Sequence, residues 1–141
     1  MGEAFTATAD DAFAAYWNPA GLPRLSSATA ALMYNRQFQG LDQQYLSLVG
    51  PLRSNFGAGV SMTRLGTDAV PSYNASGAAA GSVSASDLAL AAAFGARLAA
   101  PSAGRPGISV GLQSKWIREN LAGVSAEGMP LRVLRTTVDL I

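Results

Sequence analysis

Cysteine and histidine are both missing from the 141 residues of this chain. Without cysteine no disulfide can form, and without either residue the usual transition-metal sites lose their main ligands. Charge is scarce too: Asp, Glu, Lys and Arg make up 13%, about half the usual share of a soluble domain. Lys115 is the only lysine and the net charge is +1, which leaves no basic patch to recognise nucleic acid. Long hydrophobic runs are lacking as well. The longest candidate, residues 88–96, is stopped by Arg97, well short of the roughly 20 apolar residues a spanning helix needs.

What is abundant is small or apolar. Hydrophobic residues make up 49% and there are 15 glycines, the balance expected when one side of each element faces lipid. From residue 28 onward, stretches of roughly ten residues are separated by polar, Gly/Pro-containing breaks, the signature of transmembrane strands. Strands are expected near 28–36, 42–50, 55–65, 86–98, 108–118 and 131–140. In the third, Phe56, Ala58, Val60 and Met62 alternate with Gly57, Gly59, Ser61 and Thr63. One face suits lipid, the other a tight or wet interior. In the fifth, Ile108, Val110, Leu112 and Trp116 are set against Ser109, Gly111, Gln113 and Lys115, with Trp116 placed for an interface girdle. The fourth is a good helix by intrinsic propensity, but it also fits period two, and its neighbours favour strand.

Loop lengths give the wall a polarity. With the N-terminal segment on the periplasmic side, the connections at 51–54 and 99–107 are periplasmic and those at 37–41, 66–85 and 119–130 external. The long excursion and the shortest turn then fall where barrels usually put them. Residues 129–141 diverge: Arg132 and Arg135 fall on opposite faces of any strand, and a charge facing lipid costs about 2 to 4 kcal/mol near the midplane.

Before the strands stands a run from Asp10 to Leu22: Asp10, Asp11, Ala12, Phe13, Ala14, Ala15, Tyr16, Trp17, Asn18, Pro19, Ala20, Gly21, Leu22. Asp10 or Asp11 can cap a single helical turn that carries Phe13 and Trp17 on one face. Asn18 precedes a proline and so leaves the helical region, and Gly21 accepts either backbone sign. On its own this reads as a helix stop followed by a loop.

Catalytic patterns find little footing. Residues 107–111 match a nucleophile elbow around Ser109, but that motif needs a strand-to-helix turn and a histidine base. Asp10 and Asp11 are adjacent rather than opposed across a cleft. The small-xxx-small spacing of Gly77 and Gly81 lies in a polar stretch and reads as flexible loop, and the Asn74 sequon has no implied use. Arg64, Arg97, Lys115 and Arg118 read as rim or lumen charges. No catalytic, cofactor-binding or metal-binding residue is assigned.

The run through Asn18, Pro19, Ala20, Gly21 and Leu22, taken in order behind the aspartate pair, resembles the N-terminal signature of FadL-like outer-membrane barrels, above all the PorV/PorQ branch. Residues 84–90 look like a strand opening of that branch, and 112–119 are similar to its Lys-Tyr-Ile-Arg-Glu segment. Residues 1–5 resemble an interior Met-Gly-Gly-Ala-Phe, with Glu3 departing from the second glycine. The resemblance covers about residues 1–128 and lapses beyond. It implies an all-β, antiparallel transmembrane barrel of the FadL type, of which this chain carries the N-terminal part. Residues 1–26 would form a short helical plug or hatch, with Asp10, Asp11, Trp17, Asn18, Pro19 and Gly21 as its structural motif. Residues 27–141 would supply about six strands of an incomplete wall, against about fourteen in the family. The chain is expected to lack its targeting segment, by maturation or by truncation.

The expected setting is a bacterial outer membrane. The resemblance implies no enzyme activity and a role in type IX secretion, with outer-membrane lipid, secreted proteins bearing C-terminal sorting domains and other secretion components as partners. The alternative is FadL-like transport of hydrophobic small molecules such as long-chain fatty acids. A third expectation, a soluble Ala-rich domain with helical segments, rests on residues 88–98.

Overall fold

From residue 29 the chain runs back and forth as an antiparallel sheet. The computed structural model describes residues 9–37, 40–102, 107–121, 124–128 and 131–139, the last two segments by their backbone. A helical turn α1 (Ala14–Trp17) and a 3-10 helix η1 (Pro19–Arg24) come first. Then follow β1 (Thr29–Arg36), β2 (Leu41–Arg53), β3 (Phe56–Thr67), β4 (Val70–Tyr73), β5 (Ala79–Val83), β6 (Ala85–Ala99), β7 (Gly107–Leu121), β8 (Val124–Gly128) and β9 (Leu131–Asp139). The main sheet has the order β1-β2-β3-β6-β7, with β8 and β9 both beside β7, and β4 and β5 form a hairpin of their own. Ile117 lies opposite Gly128 and Ser114 opposite Leu131, so β8 and β9 follow one line and the wall is in effect six strands wide.

The all-β expectation is met at the level of an antiparallel sheet; the sheet is not closed into a barrel. The helical expectation for residues 88–98 fails, because they lie inside β6. Alanine's helix preference of a few tenths of a kcal/mol per residue yields to a full ladder on each side of that strand.

Two connections differ from expectation. Residues 66–85 hold the β4–β5 hairpin rather than an open loop. Asn74 Oδ1 accepts hydrogen bonds from the Ser76 and Ala78 N–H groups (3.1 and 2.9 Å) and from Ser76 Oγ (2.8 Å), so the sequon's side chain is spent on its own turn. Gly77 takes φ +78° at that turn, which is why glycine stands there. Residues 119–130 are not one loop either: β7 continues to Leu121 and β8 begins at Val124. In β9, Arg132 lies opposite Gln113, and the ladder is irregular across Arg135, between the Gly111–Leu134 and Ser109–Thr137 pairs.

Register sorts the side chains into two faces. Ser47, Ser61, Ser109 and Gln113 are buried on the inner face, together with Val49 and Ala93. On the other face Leu32 is 81% exposed, Leu48 and Val60 56% each, and Leu98 67%. Small and polar residues are inside and large apolar ones outside, the reverse of a water-soluble sheet. Residues 9–25 cover the inner face and supply most of the buried cluster, including Ala14, Ala15, Leu22 and Leu25.

Candidate functional site: the plug and its cradle

The plug folds by local rules. Asp11 Oδ1 accepts the Phe13 N–H at 2.6 Å and its carbonyl accepts the Ala14 N–H at 3.0 Å, so Asp11 closes the bend leading into α1; the N-cap itself is Phe13, with no side-chain cap, and Asp10 is exposed. Asn18 is extended (φ −157°, ψ 96°), as a residue before proline should be. Its Oδ1 accepts the Ala20 N–H at 3.1 Å and its carbonyl accepts the Gly21 N–H at 3.0 Å, starting η1 with Pro19 in the first helical position. Gly21 is needed for a different reason from the one expected. Its φ is not positive; instead a Cβ there would lie 2.8 Å from Ala9 Cβ and closer still to the Ala9 carbonyl oxygen.

Beneath η1 the wall is bare. Gly57, Gly95 and Gly111 are in register across β3, β6 and β7 and form one row without side chains. A Cβ at Gly57 would come within 2.5 Å of the Leu22 carbonyl, and one at Gly111 within 2.6 Å of the Pro19 carbonyl carbon. At Gly95 it would collide with the Pro19 carbonyl oxygen and lie 2.7 Å from Pro23 Cδ. The backbone of the 3-10 helix therefore rests directly on three strand backbones. Sequence reading found the small faces of β3 and β7; the row needs the register, which sequence does not give.

Wall side chains satisfy plug carbonyls that so short a helix leaves without partners. Ser47 Oγ donates to Ala12 O at 2.7 Å, Arg97 Nη2 to Pro23 O at 2.9 Å, and Gln113 Nε2 to Ala15 O. Arg97 thus lies on the inner face of the sheet, against η1. Ser47 had no signal beyond its alternate position in a strand.

Aromatic contacts bind the other end of the plug. Phe13 stacks on Tyr45 with centroids 5.2 Å apart, and Tyr16 meets Tyr45 edge-on at 6.1 Å and Trp17 edge-on at 5.2 Å. Lys115 Nζ sits 5.2 Å from the centre of the Tyr16 ring. Phe13, Tyr16, Trp17, Met33, Tyr45 and Thr63 border a cavity of about 230 Å³ between plug and wall. Phe13 and Trp17 do share one side of the turn, but the contact with the wall is made by Phe13 and Tyr16.

The remaining candidates fall elsewhere. Ser109 lies within β7, buried on the inner face, and not on a strand-to-helix turn. Arg64 and Arg118 are on the outer face, in the same row on either side of Leu88.

This arrangement defines a class: an open antiparallel sheet with large apolar side chains on one face and an N-terminal segment packed on the other. No protein-family model, curated protein or solved structure matches the chain.

Proposed function

We propose that the chain is the plug-bearing part of a transmembrane β-barrel of an outer membrane. The observation that carries this reading is the inverted sheet, with Leu32, Leu48, Val60 and Leu98 outward and Ser47, Ser61, Ser109 and Gln113 buried inward. A water-soluble sheet with that outer face would expose a contiguous apolar surface with nothing to cover it. The dimensions agree. Outward apolar positions on β6 run from Leu88 to Leu98, about 33 Å along the strand, which a tilt of about 40° reduces to about 25 Å, the height of a barrel's lipid band. Trp116 stands one row inside Arg118, where an interfacial ring belongs.

Within that class the reading is a PorV/PorQ-like role in type IX secretion, binding and handing over secreted proteins, with no catalysis. Its support is the sequence likeness of residues 84–90 and 112–119. Hydrophobic small-molecule transport is kept as a second reading because of the aromatic cavity beside Phe13, Trp17 and Tyr45. Its 230 Å³ falls below the range of about 300 to 1,000 Å³ typical of small-molecule sites, so the secretion reading is preferred.

Two assays separate these. Pull-down of a secreted protein's C-terminal sorting domain by the barrel in detergent is the expected result. Uptake of a long-chain fatty acid without such binding would instead select transport. Circular dichroism in detergent dominated by helix would contradict both.

A further inference from the structure

The outer face is not a uniform apolar band. Its side chains form rows in register: Leu48, Val60, Ala92 and Ser114 in one, and Leu46, Met62, Leu90 and Trp116 in the next toward the external end. Between and beneath the large side chains of these rows, the small residues Ala92 and Ser114 leave a groove of about 750 Å³. One row further on, about 7 Å along the strands, the character changes. Gln44, Arg64, Leu88 and Arg118 stand there, and then Asp42, Gly66, Ser86 and Asn120. Arg64, Leu88, Arg118, Ser86 and Asn120 line a second, polar cleft of about 230 Å³, directly beyond the head of the apolar groove.

Resting on the membrane-wall reading above, we propose that this pair of clefts is a site for one anionic phospholipid. Its phosphate lies between Arg64 and Arg118, and its acyl chain passes Trp116 into the groove over Ala92 and Ser114. Charge complementarity selects the occupant. The two guanidiniums flank one cleft on the lipid side, and arginine's fork suits a phosphate. Acidic residues neighbour both in the ladder. Asp42 Oδ1 is 4.0 Å from Arg64 Nη1, too long for a hydrogen bond, and Glu127 lies opposite Arg118 in the ladder. Asp87 borders the polar cleft, but its strand position turns its side chain to the inner face. The lipid phosphate therefore shares the arginines with these groups rather than replacing a single tight ion pair. Asn120 and Ser86 offer further donors to the headgroup.

The test uses Trp116 as reporter in the full chain carrying Trp17→Phe, reconstituted in phosphatidylcholine vesicles. A small equal fraction of brominated phosphatidylglycerol or brominated phosphatidylcholine is included. The expected result is quenching by the brominated phosphatidylglycerol at least threefold greater than by the phosphatidylcholine. That preference should disappear in Arg64→Gln/Arg118→Gln, while quenching by either lipid remains. Ala92→Phe, which fills the groove, should reduce the preference with both arginines present. Equal quenching by the two lipids in the unmodified wall would overturn the site and leave the membrane wall standing. Quenching by neither would overturn the wall itself, and with it the site.

Discussion

At the scale of single residues, the plug is held by groups whose value lies in what they do not occupy. Gly95 has the Pro19 carbonyl and the Pro23 ring against its face, so Gly95→Val must push the 3-10 helix off the sheet. Overpacking of this kind costs about 1 to 3 kcal/mol or more. Because the ladders of β3, β6 and β7 do not run through η1, the expected readout in a Trp116→Phe background is local: Trp17 fluorescence shifts to the red and becomes more open to acrylamide, while the strand signal in circular dichroism is kept. Ala58→Val, on the opposite face of the sheet, should change neither. Gln113 is a different case, since its side chain is fully buried and spent on the Ala15 carbonyl. Gln113→Ala leaves that carbonyl without a partner and should cost about 1 to 3 kcal/mol, read as a lower unfolding midpoint in denaturant with an unchanged slope. Neither role could be seen in the sequence, where Gly95 is one small residue in an alanine-rich stretch and Gln113 one polar residue in an alternating strand. Asn18 was legible, because the Asn-Pro step restricts its own backbone and its cap is made two residues away.

At the scale of elements, period two decided β3 and β7, and both faces were readable before any register was known. β6 shows the limit of local propensity: seven of its fifteen residues are Ala, and strand pairing on both sides overrides their preference. The β4–β5 hairpin was missed because Gly77 and Gly81 were read as flexibility, whereas both take positive φ within a defined hairpin. The beginning of β8 was missed because Leu121 and Val124 sit in a stretch rich in Gly, Ala and Ser, where turn signals outweigh strand signals. The two faces of β3 make opposite demands on a charge. Val60→Arg, outward in mid-strand, should cost about 2 to 4 kcal/mol in folding into vesicles. Thr63→Arg, on the inner face, should be tolerated within about 1 kcal/mol, because lumen positions keep access to water and polar partners. Urea titration of both variants in the same lipid is the comparison that checks this.

At the scale of the whole molecule, the wall is a six-strand-wide sheet with β1 at one edge and β8 and β9 at the other. In hydrocarbon both edges need strand partners, since unpaired backbone groups there cost several kcal/mol each. The plug cannot supply them, because it lies on the face of the sheet and not along an edge. On the proposed function the plug lies in the lumen, the apolar rows face lipid and the two edges pair with further strands. The inversion of this sheet is directly measurable, because the sequence holds no cysteine and each introduced thiol is the sole labelling site. Single cysteines at Ala58, Val60, Ser61, Met62 and Thr63, spin-labelled in lipid vesicles, report accessibility to oxygen, which concentrates in hydrocarbon. The expected result is high oxygen accessibility at 58, 60 and 62 and low at 61 and 63; no alternation, or alternation of the opposite phase, would contradict it.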